Sequence, residues 1–181
     1  LCLGSGSSGD CYLFRSPHNA ILVDARLGIR TLRKALKDNG VTIDSIDAVF
    51  ITHDHADHIK AVGHLAHDFN RPTYSTEPAH QGINRNYCVT QKLTPQHQRI
   101  VVKGATLDIG DFHITPFPVP HDSTDCVGYR IQVDETVFCL ITDAGEATLE
   151  MQQAVTEANY LVLESNHDEE MLATGPYPSY L

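Results

Sequence analysis

The sequence has no apolar run near the roughly 20 residues that a membrane-spanning helix needs, and residues 1–20 lack a basic segment followed by an apolar one. Membrane insertion therefore drops out of the reading, and no export signal is visible. C-x-x-C pairs are also missing. Cys2, Cys11, Cys88, Cys126 and Cys139 form an odd, scattered set, which argues against a disulfide framework and for reduced thiols in a cytoplasmic protein. Cys139, inside "VFCLI", reads as a small core residue. Positive charge is scarce, with 13 Lys and Arg against 23 Asp and Glu, a net charge of −10 and a pI near 5.4. A surface that coats nucleic acid by charge alone is not expected from this balance. Bound divalent cations would reverse the sign locally, so phosphate-bearing substrates stay open.

What is present is ordinary for a globular chain: 181 residues, 41% hydrophobic and 20% charged, enough for a single domain with a substantial core. "GSGSSGD" (4–10) lies between the strand-like runs "LCL" and "CYLF" and reads as a glycine-rich turn. "AILVD" is a strand ending at Asp24, and residues 27–39 carry Ile29, Leu32 and Leu36 at helical spacing before Asn39-Gly40. The opposite face of that helix, with Arg26, Arg30, Arg33, Lys34 and Lys37, reads as a solvated stripe. "DAVFIT" is the next strand and "IKAVGHLAHDF" a helix; residues 76–98 read as irregular, with His80 and His97 on the surface. "RIVVKGATLDIGDFHITPFPV", "GYRIQV" and "VFCLIT" supply further strands, "TLEMQQAVTEA" a helix capped by Thr148, and "YLVLE" a final strand.

"FITHDHADHIK" packs His53, Asp54, His55, Asp57 and His58 into six positions just after a strand. Other strands end at Asp24, His121, Asp143 and Glu164, and functional groups collect on the loops beyond strand ends. His53 and His55, two apart in an extended loop, project to one side and can grip one ion. Asp57 and His58 can turn toward a second, and His121 and Asp143 fit the remaining needs in residue type and place. Mixed imidazole and carboxylate ligands suit two divalent ions, Zn²⁺ or Mn²⁺ first and Fe as well, with positions left for water.

H-x-H-x-D-H after an apolar strand, with "DAR" upstream and "PHDSTDCVGY" and "LITDAGEAT" downstream, resembles the metallo-β-lactamase superfamily. "LCLGSGSSGDCYLF", "IRTLRKAL" and "LVLESNHDEEMLATGPYP" look like its WalJ/YycJ branch of nuclease-like hydrolases. The resemblance implies an α/β chain folded as an αββα sandwich of two facing sheets flanked by helices. It implies one metal on His53, His55 and His121, another on Asp57 and His58, and Asp143 bridging. Asp24 would hold a ligand histidine by a hydrogen bond, and Glu164 would assist proton transfer. Two departures stand out: Arg26 where the family usually has Gly, and a chain that stops before the family's last ligand histidine, so that the C-terminal part is read as missing. His167 is a candidate substitute.

Two ions roughly 3.5–4 Å apart would acidify a shared water and stabilise both attacking and leaving oxygens of a phosphodiester, with Asp57 orienting the water. DNA or RNA is the substrate the resemblance implies. Hydrolysis of a small ester, thioester or lactone would use the same ligands, and the acidic charge leans that way. Arg15, Lys60 and the basic helix face are candidates for holding substrate. A di-iron redox protein is disfavoured by His55, and a non-catalytic module by the intact cluster.

Overall fold

The computed structural model describes residues 1–4 and 10–164, so His167 lies outside the described residues. The first half builds one mixed sheet from β1 (Cys2–Gly4), β2 (Cys11–Arg15), β3 (Ala20–Val23), β4 (Ala48–Phe50), β5 (Thr73–Ser75) and β6 (Gln98–Ile100), in that spatial order. The β1–β2 and β2–β3 pairs are antiparallel; from β3 onward the neighbours are parallel. Parallel neighbours need crossovers, and helices supply them: α1 (Ile29–Asp38), α2 (Ala56–Ile59), α3 (Val62–His67) and α4 (Glu77–Arg85). The second half folds β7 (Leu107–Ile109), β8 (Phe112–Pro118), β9 (Val127–Val133) and β10 (Thr136–Ile141) as an antiparallel meander. Then α5 (Leu149–Thr156) carries the chain to β11 (Tyr160–Leu163), parallel to β10.

The period of two along a strand sorts side chains into layers. Cys11, Leu13, Leu22, Val49 and Ile51 face the helices of the first half together with Leu32, Leu36 and Leu65. Tyr12, Phe14, Ile21, Val23 and Phe50 face the other way, against Phe112, Ile114, Tyr129, Ile131 and Leu140 of the second sheet. Each such side chain removed from water contributes about 1.5–3 kcal/mol. The outer face of the second sheet, with Phe117, Cys139 and Ile141, is covered by Met151 and Ala154 of α5. Helix, sheet, sheet, helix is the αββα sandwich expected from the sequence. β11 forms the edge of its sheet, with Tyr160, Leu161 and Leu163 exposed.

Three local features differ from the sequence reading. The helix expected after the histidine cluster is two short ones, because the backbone there bonds sideways to the Asp24 loop. Ala25 N–H donates to His58 O at 2.6 Å and Ala61 N–H to Ala25 O at 2.8 Å. Residues 76–98 are not wholly irregular: α4 starts at Thr76, whose hydroxyl accepts from Ala79 N–H, with Pro in the first turn. His80 is not on the surface, since the inward face of α4 buries it and its Nε2 meets Arg99 O at 3.1 Å. Thr148 caps α5 as expected, and all five cysteines are free, with Cys139 fully buried.

Candidate metal centre

Five strands deliver their loops to one rim. Asp24 follows β3, the 52–58 loop follows β4, His121 follows β8, Asp143 follows β10 and Glu164 follows β11. Asp24 and Asp143 both hold left-handed backbone, with φ of 59° and 51°. Aspartate tolerates that region better than most residues, at a cost on the order of 1 kcal/mol each. Here the turn aims each carboxylate across the strand ends.

Asp24 is fully buried and accepts three hydrogen bonds. Thr52 N–H donates to Oδ1 at 2.9 Å, the Thr52 hydroxyl to Oδ2 at 2.8 Å, and His58 Nδ1 to the same Oδ2 at 2.8 Å. A hydroxyl has one proton, so Thr52, having given its own to Asp24, accepts from His53 Nδ1, 3.0 Å away. Both imidazoles thus carry a proton on Nδ1, and their Nε2 atoms face the rim. Orientation of ligand histidines by a hydrogen bond to the far nitrogen is common in metal sites.

The Nε2 atoms converge without bonding to each other. His53 Nε2 and Asp143 Oδ2 are buried and lack a hydrogen bond of acceptable geometry. Nonetheless Asp143 Oδ2 is 3.7 Å from His53 Nε2 and 2.9 Å from His58 Nε2. On the far side His121 Nε2 is 3.2 Å from His55 Nδ1, and Asp122 Oδ1 is 3.3 Å from His121 Nδ1. Two trios offer ligand atoms all within 4.8 Å of one another: His53, His55 and His121, and His53, His58 and Asp143. Ligand atoms aimed at a common centre, with His53 Nε2 buried and left without a partner, fit divalent cations with nitrogen and oxygen ligands. Asp57, expected as a ligand, belongs to neither trio, and its Oδ2 lies 3.5 Å from Arg26 Nη1.

Electrostatics follow the same layout. Burial, then the neighbouring imidazoles, lowers His53 far below the usual imidazole range and keeps it neutral. Burial works to lower His58 too, but Asp24 and Asp143 on either side outweigh it and push it up to about 11. Burial raises Asp143, yet His58, His121 and His55 together hold it low. Burial lowers His121. Charge alternates across the site, and a cation would take the place that the His58 proton fills.

Sequence reasoning missed two supports. Asp54, the residue between the first two histidines, accepts from Thr124 N–H at 3.1 Å and from the Thr124 hydroxyl at 2.5 Å, tying the His53–His58 loop to the loop after His121. Its own carbonyl accepts from Asn86 Nδ2 at 2.9 Å, and a Cβ on Gly82 would collide with its carboxylate. The other is Asp10, 1% exposed, whose carboxylate gathers with those of Asp143 and Glu164 within the same 4.8 Å. The basic face of α1 stays exposed, with Lys34 paired to Asp38 at 2.6 Å.

The beta-lactamase superfamily domain matches residues 19–177. The exodeoxyribonuclease WalJ of Streptococcus pneumoniae serotype 2 (strain D39 / NCTC 7466) is 34% identical over 175 residues, covering 97% of this chain and 65% of that protein. Exodeoxyribonuclease YycJ of Bacillus anthracis is 31% identical over 176 residues, covering 97% and 66%. The chain therefore spans just under two thirds of the length of these relatives. Among solved structures, the Rm3 metallo-beta-lactamase aligns with a TM-score of 0.68 at 16% identity, over 96% of this chain and 80% of that one. A Cronobacter sakazakii metallo-beta-lactamase variant aligns at 0.71 and 12% identity, over 90% and 75%. At such identities the likeness is one of fold.

Proposed function

Because the chain belongs to the metallo-β-lactamase superfamily, we propose that it is the metal-binding part of a phosphodiesterase that degrades nucleic acid, DNA first, from an end. His53, His55, His58, His121 and Asp143 would hold two divalent ions, Zn²⁺ or Mn²⁺. The observation that carries this reading is the pair of ligand trios hinged on His53, with the Nε2 atoms of His53 and His58 aimed by Thr52 and Asp24 before any ion arrives. The substrate class is carried by the relatives named exodeoxyribonucleases.

Ions bound there would polarise a phosphodiester and make water acidic at neutral pH. The remaining work falls to the chain. Asp24 keeps His58 facing the rim, and Thr52 does the same for His53. Asp57, partly exposed on the same loop, is the carboxylate that orients water and takes its proton, with Arg26 beside it. Glu164, expected as proton donor, shares its position with two other carboxylates, which suits it to a different task.

The test is turnover by the zinc- or manganese-loaded protein of bis(p-nitrophenyl) phosphate and end-labelled DNA, set against a panel of thioesters, esters and lactones. Phosphodiester cleavage abolished by a chelator is the expected outcome. Turnover of thioesters or lactones alone would replace the nuclease reading with small-molecule hydrolysis, toward which the net charge of −10 leans.

A further inference from the structure

We propose that Asp10, Asp143 and Glu164 form a separate cation seat, made of oxygen ligands only, for a hard divalent ion such as Mg²⁺ or Mn²⁺. Asp10 is 1% exposed, and among the described residues its carboxylate has no donor beyond a proton it can share with Glu164. It points into a group of three acids whose ligand atoms lie within 4.8 Å of one another. A buried carboxylate without a donor is costly, and crowding it with two more increases the cost. Folding brings them together regardless: Asp10 just before β2, Asp143 just after β10 and Glu164 just after β11.

Two settlements are available, a proton shared by Asp10 and Glu164 or a cation among all three. A single proton leaves the cluster at −2, with Asp143 still facing the pair, whereas a divalent ion brings it to −1. His58 offsets part of Asp143 from the other side, but donates nothing to Asp10. Asp143 and Glu164 are partly exposed, which provides an entry path and room for waters to complete six or more oxygen ligands. The ligand chemistry differs from that of the imidazole trios. Nitrogen donors suit Zn²⁺, while carboxylates and water suit Mg²⁺ and Mn²⁺. Asp143 would connect the two seats, one ion of each kind on either side.

The inference rests on the imidazole trios taking zinc, so zinc is measured in every sample and reports on that reading independently. Zinc-loaded protein, freed of excess metal, is titrated with Mn²⁺, and bound manganese is counted from the electron paramagnetic resonance of the free ion. The wild-type protein is expected to bind one further Mn²⁺ without losing zinc. Asp10→Asn keeps the shape and removes the charge, and is expected to retain zinc while binding Mn²⁺ roughly 10–100-fold more weakly. Glu164→Gln, at a partly exposed position, is expected to do the same and covers the case in which the buried variant does not fold. No manganese beyond the zinc sites, manganese that enters only as zinc leaves, or equal affinity in wild type and both variants would overturn the proposal in favour of a shared proton.

Discussion

On one wall of the candidate metal centre, His53 and His58 are buried, and each is tied through Nδ1 to a buried partner, Thr52 or Asp24. On the other, His55 and His121 are partly exposed and rest against each other and against Asp122. The first wall is fixed by folding itself. β3 and β4 run side by side with Ile21 opposite Ala48 and Val23 opposite Phe50, so their ends cannot shift independently. The second wall hangs from a loop held by the clamp between Asp54 and Thr124 and by backbone bonds from Gly145 N–H to Pro120 O and from Val119 N–H to Cys126 O. A centre built this way would have one rigid side that sets the ligand positions and one more exposed side open to ions and substrate.

The largest effect should come from striking the rigid wall at its base. Asp24→Ala leaves Thr52 N–H and His58 Nδ1 without their acceptor inside the core, and should cost about 3–5 kcal/mol in chemical denaturation. A loss under 1 kcal/mol would show that the two walls are equally adjustable. Next comes His53→Ala, the residue common to both trios. It removes the one nitrogen that the buried wall gives to an ion on the His55–His121 side and opens the space beside His58, and should take more metal from the protein than His121→Ala, as read by atomic emission. Equal losses in the two variants would erase the distinction.

A smaller, sharper test is Asp54→Ala. It frees Thr124 without touching a ligand, so metal affinity should fall roughly 10–100-fold while the rigid wall and the fold persist. An unchanged affinity would show that the clamp does not position His121. The smallest effect belongs to Arg26→Gly. Its partly exposed pair with Asp57 at 3.5 Å is worth at most about 1 kcal/mol. Stability should barely move, while phosphodiester turnover should change once Asp57 stands alone. Unaltered kinetics would place Asp57 outside the chemistry.

The rigid wall was also the more legible in the sequence. A period-two strand read from "AILV" or "DAVFI" ends where its polar residue begins, so Asp24 and His53 could be placed at strand ends from local pattern alone. The layers followed from the same alternation, which separates Leu13 and Leu22 from Phe14 and Ile21. What escaped depends on residues distant in the chain. α4 is short and holds both Pro78 and Gly82, residues that weaken a helical pattern, although Thr76 before Glu77-Pro78 is a start signal that could have revealed it. Gly82 sits there because a side chain would strike Asp54, a constraint set 28 residues away. Asp10 hid inside a glycine- and serine-rich turn, and nothing local announces that it will face Glu164. Nor does the sequence announce that the backbone bonds between the Asp24 loop and residues 58–61 fix His58 inward and set Asp57 beside Arg26.

His53 counts in both trios, but its ring has only one nitrogen to give, since Nδ1 is committed to Thr52. Two ions cannot divide that single electron pair. An ion on the His55–His121 side would take it, and one beside His58 and Asp143 would make up its shell from water. Such a pair would be unequal from the start, one tightly kept and the other quick to exchange, and protein purified from dilute metal should carry closer to one ion than two.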